Sequence, residues 1–134
     1  MTVHVSRHLP SSVEETWAVM LDVRSWWPAT TLDPRPGGRF EEHWTNREGK
    51  PVVTSGEVLA LDPPRLLRLS WRDPAWNAST TVELRLEPAA DGGTDLLVVH
   101  SGWDALPDGA ELAPDHEAGW RVHLDQLAHR LDTV

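Results

Sequence analysis

The sequence predicts an α+β fold, an antiparallel sheet of about six strands with its helices gathered on one face. Three observations carry this. Five segments between Arg39 and Ser101 alternate polar and apolar residues at the period of a strand. Short Gly-, Pro- and Asp-containing turns join them, and strands joined so closely pair antiparallel. Near the C-terminus, Trp120, Leu124, Leu127 and Leu131 fall on one helical stripe, the mark of a long amphipathic helix.

The elements follow in order. Thr2 to Leu9 alternates and reads as the first strand. Ser12 then caps a helix, with Glu15 in capping-box position and Val13, Trp17, Met20 and Leu21 on one face. Asp22 to Trp27 makes a second short helical segment, stopped by Pro28, and the prolines and glycines of Asp33 to Gly38 reverse the chain. From Arg39 the period is two, with Phe40, Glu42 and Trp44 on one face. A polar hairpin loop over Asn46 to Lys50 leads into a strand from Val52 to Leu61, which ends at Asp62-Pro63-Pro64. Arg65 to Trp71 places Leu67, Leu69 and Trp71 together; Thr80 to Glu87 does the same for Val82, Leu84 and Leu86. Asp91-Gly92-Gly93 turns into the last strand, Thr94 to Ser101, with Leu96, Val98 and His100 on one face. An acid- and proline-rich loop from Asp104 to Pro114 precedes the final helix.

Composition narrows the function class. At 15.0 kDa the chain reads as one domain over residues 1–134, large enough for a core without staples. The net charge of −9, with Lys50 the only lysine, opposes a nucleic-acid or anionic-membrane surface, both of which need basic clusters. No cysteine is present, so disulfides and thiol chemistry are excluded. No stretch is long and apolar enough to span a membrane, and the N-terminus lacks the pattern of a signal peptide, so the expected location is cytoplasmic. Eight tryptophans stand beside one phenylalanine and no tyrosine. Indoles in that proportion suit a heavily filled core or the wall of an apolar pocket with a few polar anchor points.

Five motifs in succession resemble a known family. They are Pro10 through Asp22, the pair Trp26-Trp27 before Pro28, Arg35 through Phe40 joined with Gly56 through Leu66, Gly93 through Trp103, and Gly119-Trp120. Nearly the whole chain is similar to the START-like (SRPBCC) superfamily, in the branch named after the activator of the 90-kDa heat-shock-protein ATPase. The resemblance implies a helix-grip fold, in which a curved antiparallel sheet wraps around the long C-terminal helix, often with an apolar cavity between them. It leaves function open, since the superfamily includes lipid carriers, hormone receptors, polyketide cyclases and co-chaperone modules.

Strand parity maps a cavity face. The expected ligand-binding set is Phe40, Glu42, Trp44, Leu69, Trp71, Leu84, Val98, His100, Trp103, His116 and Trp120. Glu42 and His100 are the ionisable members of otherwise apolar faces, and burying either alone is costly. If the two meet, Glu42 orients His100 as a general base or ligand partner. The alternatives are a structural hydrogen-bonded pair, or a group meeting water at each sheet end. His116 and His123 share a helix face at a spacing too wide for a helical metal pair, so no metal and no cofactor are expected. His116 with Gly119 stands either at the cavity entrance or on a solvated face. Trp17 belongs to the core, one of Trp26 and Trp27 packs under the sheet rim, and Trp76 and Trp103 either cap the pocket or form an exposed patch.

Three functions fit, in this order. The first is binding of a small apolar or aromatic molecule between sheet and helix. The second is an enzyme of polyketide cyclase or dehydratase type, with His100 or Glu42 moving protons. The third is a chaperone-associated protein-interaction module built on Trp76 and Trp103. A homodimer is compatible with each.

Overall fold

In a computed structural model of the protein, which describes residues 1–133, seven strands form one antiparallel sheet. The strands are β1 (Val3–Leu9), β2 (Thr30–Leu32), β3 (Arg39–Thr45), β4 (Pro51–Asp62), β5 (Leu66–Trp71), β6 (Thr80–Pro88) and β7 (Thr94–Ser101). Their spatial order is β1-β7-β6-β5-β4-β3-β2. Helix α1 (Val13–Leu21) and a 3₁₀ turn at Val23–Ser25 follow β1, and the long helix α2 (Gly109–Asp132) closes the chain. This is the α+β, helix-grip arrangement expected, with one strand more. β2 has only three residues, too few to show a period; pairing of Thr30 with Glu42 and Leu32 with Phe40 is what makes it a strand.

The strands pair in register so that apolar residues line up across the sheet. Leu69 faces Val82, Val82 faces His100, and His100 faces Val3, one continuous row over four strands. β4 serves two neighbours, pairing with β3 and with β5, and a bulge between Val58 and Ala60 interrupts its ladder. Gly56 is required there, because a Cβ would stand 1.8 Å from the Ser70 carbonyl oxygen.

Helix α1 starts as its sequence suggests, with the Ser12 hydroxyl accepting from the Glu15 amide at 3.2 Å. Helix α2 begins earlier than expected, at Gly109, so Pro114 lies inside it and only part of the Asp104–Pro114 segment is loop. Proline costs about 3 kcal/mol in a helix interior. Packing offsets this: Ala113 is buried, and Gly109 approaches the Trp103 carbonyl so closely that a Cβ would lie 2.0 Å from it. The four residues of the predicted stripe, Trp120, Leu124, Leu127 and Leu131, are all buried against the sheet side. Among the described residues no helix is long and apolar enough to cross a membrane.

Candidate functional site

The space between sheet and helix is divided in two. Its inner part is filled by aromatic rings. Trp71 stacks on Phe40 (centroids 5.3 Å apart) and meets Trp120 of α2 at 5.4 Å, so indole bridges sheet to helix directly. Trp27 joins them, 6.1 Å from Trp71 and 5.5 Å from Trp120. Beyond this plug, toward the β3–β4 hairpin, a cavity of about 660 Å³ remains open. Small-molecule sites occupy roughly 300–1,000 Å³.

β3 supplies Glu42 and Trp44 to the cavity, the hairpin loop Asn46, Arg47 and Glu48, and β4 Thr54. The end of β5 adds Trp71 and the following turn Asp73. From α2 come Leu112, Asp115, His116, Ala118, Gly119, Trp120 and His123. Trp44, Trp71 and Trp120 thus share the site, as strand and helix periodicity suggest. Trp44 is 40% exposed and stands at the mouth, its Nε1–H donating to the Thr54 hydroxyl at 2.9 Å. Thr54 in turn donates to the Asp73 carboxylate. Glu42 and Thr54 are direct cross-strand neighbours, so Glu42, Thr54 and Asp73 form a polar row on one wall. Gly119 leaves the helix wall open, for nothing lies within 4 Å of the position its Cβ would take.

Glu42 is held by the Trp27 Nε1–H, which donates to Oε2 at 2.9 Å, and faces His123 Nε2 at 3.5 Å. Burial pushes its carboxyl above the usual range, the Trp27 hydrogen bond pulls back, and the Asp73 charge pushes up again. Burial lowers the His123 pKa, against the pull of its hydrogen bond with Gln126 and with a smaller push from His116.

His100 is elsewhere. It is fully buried, and three hydrogen bonds consume it and its partners. Trp120 Nε1–H donates to Nδ1 at 3.1 Å, which fixes the proton on Nε2. Nε2–H then donates to the Thr80 hydroxyl at 2.7 Å, and Thr80 donates to the Trp71 carbonyl at 3.0 Å. Burial, with a smaller push from His116, lowers its pKa from 6.5 to about 2. The meeting of Glu42 with His100 on which a catalytic pair depended does not occur, because Trp71 and Trp120 occupy the space between sheet and helix and Glu42 turns to Trp27 and His123 instead. His100 belongs to the core as a neutral hydrogen-bond hub.

Other expectations shift for the same reason. Phe40, Leu69, Leu84, Val98 and Trp103 point inward but are not cavity walls; they are buried in the packed interior. Trp26 and Trp27 are both buried, one donating to the Met20 carbonyl and the other to Glu42. Trp76 and Trp103 pack against each other at 5.7 Å and against His116, leaving no exposed indole patch there. His116 lines the cavity, its Nδ1–H donating to the Leu112 carbonyl at 3.0 Å. Strand parity misses Thr54, Asp73 and the hairpin residues. His123 and Gly119 carried a signal, since they share a helix face with His116. In the cavity wall Trp71 is 3% exposed, and its buried Nε1–H has no acceptor among the described residues.

Residues 10–132 match the family described as Activator of Hsp90 ATPase homolog 1-like protein. No curated protein sequence matches significantly. Among solved structures the chain is similar to MLL2253 from Mesorhizobium loti, at 27% identity and a TM-score of 0.81, covering 100% of this chain and 98% of that one. It is similar to CalU16 from Micromonospora echinospora, at 26% identity and a TM-score of 0.77, covering 96% and 74%. DynU16, a protein of the dynemicin biosynthetic locus, shares the fold at 24% identity and a TM-score of 0.78, over 98% of this chain and 47% of that one.

Proposed function

This chain belongs to the Activator of Hsp90 ATPase homolog 1-like family, and on that premise we propose that it is a cytoplasmic protein that binds a small apolar or aromatic molecule between its sheet and its C-terminal helix. The observation that carries the reading is the cavity of about 660 Å³ walled by Trp44, Trp71 and Trp120. Indole faces supply apolar area there, and the buried Trp71 N–H supplies a directional contact that the folded chain leaves unused. Ligand binding to the folded state alone raises stability by about 2.7 kcal/mol at a hundred times Kd. A panel of lipids and aromatic polyketides should therefore raise Tm and change tryptophan fluorescence for at least one class. A flat response across the panel removes the proposal.

An enzyme of polyketide cyclase or dehydratase type is the second reading. It is supported by Glu42 and His123, two cavity groups 3.5 Å apart whose proton affinities burial draws toward each other. Product formation from a bound ligand, and not binding alone, distinguishes it. A chaperone-associated interaction module has less to stand on, because Trp76 and Trp103 are 8% and 1% exposed.

A further inference from the structure

Four carboxylates line the cavity, Glu42, Glu48, Asp73 and Asp115, against a single guanidinium, Arg47, which is exposed at the mouth. Glu42 is the informative one. Its side chain is 14% exposed, and its one ion-pair partner among the described residues is His123, at 3.5 Å. Neither of its partners, the Trp27 N–H or this imidazole that burial disfavours as a cation, brings a fixed positive charge to the carboxylate. Asp73 stands on the same wall and adds a like charge, its carboxylate anchored by Thr54 and, through Thr54, by Trp44. The cavity wall therefore carries two neighbouring carboxylates, each held by a neutral donor and neither by a lysine or arginine, beside the half-exposed indole of Trp44. Like charges set side by side with no cationic partner are the kind of local conflict that marks functional sites. The second, independent feature is the buried Trp71 N–H, a donor with no acceptor in a wall of the same cavity.

We infer that the ligand is an organic cation, an aromatic molecule that carries an ammonium group and a hydrogen-bond acceptor. This rests on the cavity-binding reading above and deepens it by naming the ligand's charge. The ammonium takes the place beside Glu42 and Asp73 that no lysine or arginine of the wall fills. Indole faces hold a cation by their quadrupole as well as by area. The acceptor satisfies the Trp71 N–H. An anionic ligand would meet Glu42 and Asp73 in place of a counter-charge, with only Arg47 to draw it.

The test is calorimetric titration of the whole chain with three probes of one shape. The first is a methoxynaphthylethyl trimethylammonium ion. The second is its uncharged isostere, in which C(CH₃)₃ replaces N(CH₃)₃, and the third carries a carboxylate at that position. The expected result is that the cation binds at least tenfold more tightly than the neutral probe, and the carboxylate most weakly of the three. In Glu42→Gln, which keeps an acceptor for Trp27, the cation-to-neutral ratio should fall several-fold. Asp73→Asn should lower the same ratio and serves if Glu42→Gln does not fold. A neutral probe that binds as well as the cation, or a carboxylate that binds better, overturns the inference and leaves the cavity reading standing. No binding by any of the three, together with a flat response from the apolar panel, overturns both.

Discussion

At the residue scale, His100 shows how little an ionisable side chain on an apolar face says about catalysis. Its alternation with Leu96 and Val98 places it inward, and inward it goes. What the alternation does not contain is Trp120, twenty residues on, whose N–H takes the Nδ1 lone pair and leaves the ring neutral. The consequence is a pH-dependent stability. Between pH 6.5 and about 2 the unfolded chain binds a proton at this histidine and the folded chain does not, so stability is present above 6.5 and is lost as pH falls through that window. Within it the loss from this group approaches about 1.4 kcal/mol per pH unit. Urea unfolding of the protein and of His100→Gln, at pH 7 and pH 5, should show a shallower acid loss in the variant. Equal slopes would mean that His100 titrates alike in both states. Glu42 differs in kind: its environment strains the charged form, and nothing on its own strand compensates.

At the element scale, α2 does two jobs with two stretches of one helix. Its C-terminal half carries the stripe of Leu124, Leu127 and Leu131 and seals the core. Its N-terminal half carries Leu112, His116, Gly119 and Trp120 along the cavity. Gly119 lies within the cavity stretch, which runs on to Trp120 and His123. A glycine within a helix costs about 1 kcal/mol relative to alanine, and no neighbour here requires it. Gly119→Ala should therefore stabilise the protein by roughly 0.5–1 kcal/mol in chemical denaturation. Gly119→Leu should fold but lose binding of any probe that enters the cavity. A leucine variant that binds normally would place the ligand elsewhere. The helix stripe, the Ser12 cap and the strands β1 and β3 to β7 were legible because each is a local pattern. β2 was not, since three residues acquire strand geometry only from β3. Nor was the start of α2, because Pro114 marks a boundary by local rules and tertiary packing at Gly109 and Ala113 overrides it.

At the scale of the whole molecule, charge and shape act together. The net charge is −9, and the exposed carboxylates Glu48 and Asp115 line the cavity. Such a field draws cations toward the site and is screened by salt, with a Debye length of about 10 Å at 0.1 M. The trimethylammonium probe should therefore lose affinity as ionic strength rises from 20 to 200 mM, whereas its uncharged isostere should not. Parallel salt dependence for the two would show that the field has no part in recognition. The tryptophans follow the same division between local and global. Periodicity was enough to put Trp17 and Trp120 in the interior and Trp44 and Trp71 on one face of the sheet. Only assembly of the sheet on the helix shows that Trp27, Trp71 and Trp120 plug the inner half of the space and leave the outer half open. The sequence by itself therefore determined the fold class, the inward faces and the family, because hydrophobic periods, caps and turns are written in neighbouring residues. The tertiary structure alone decided which inward residues meet a cavity and which meet each other, because Glu42, Asp73, Gly119 and His123 come together only when strands and helix far apart in the chain are packed to contact.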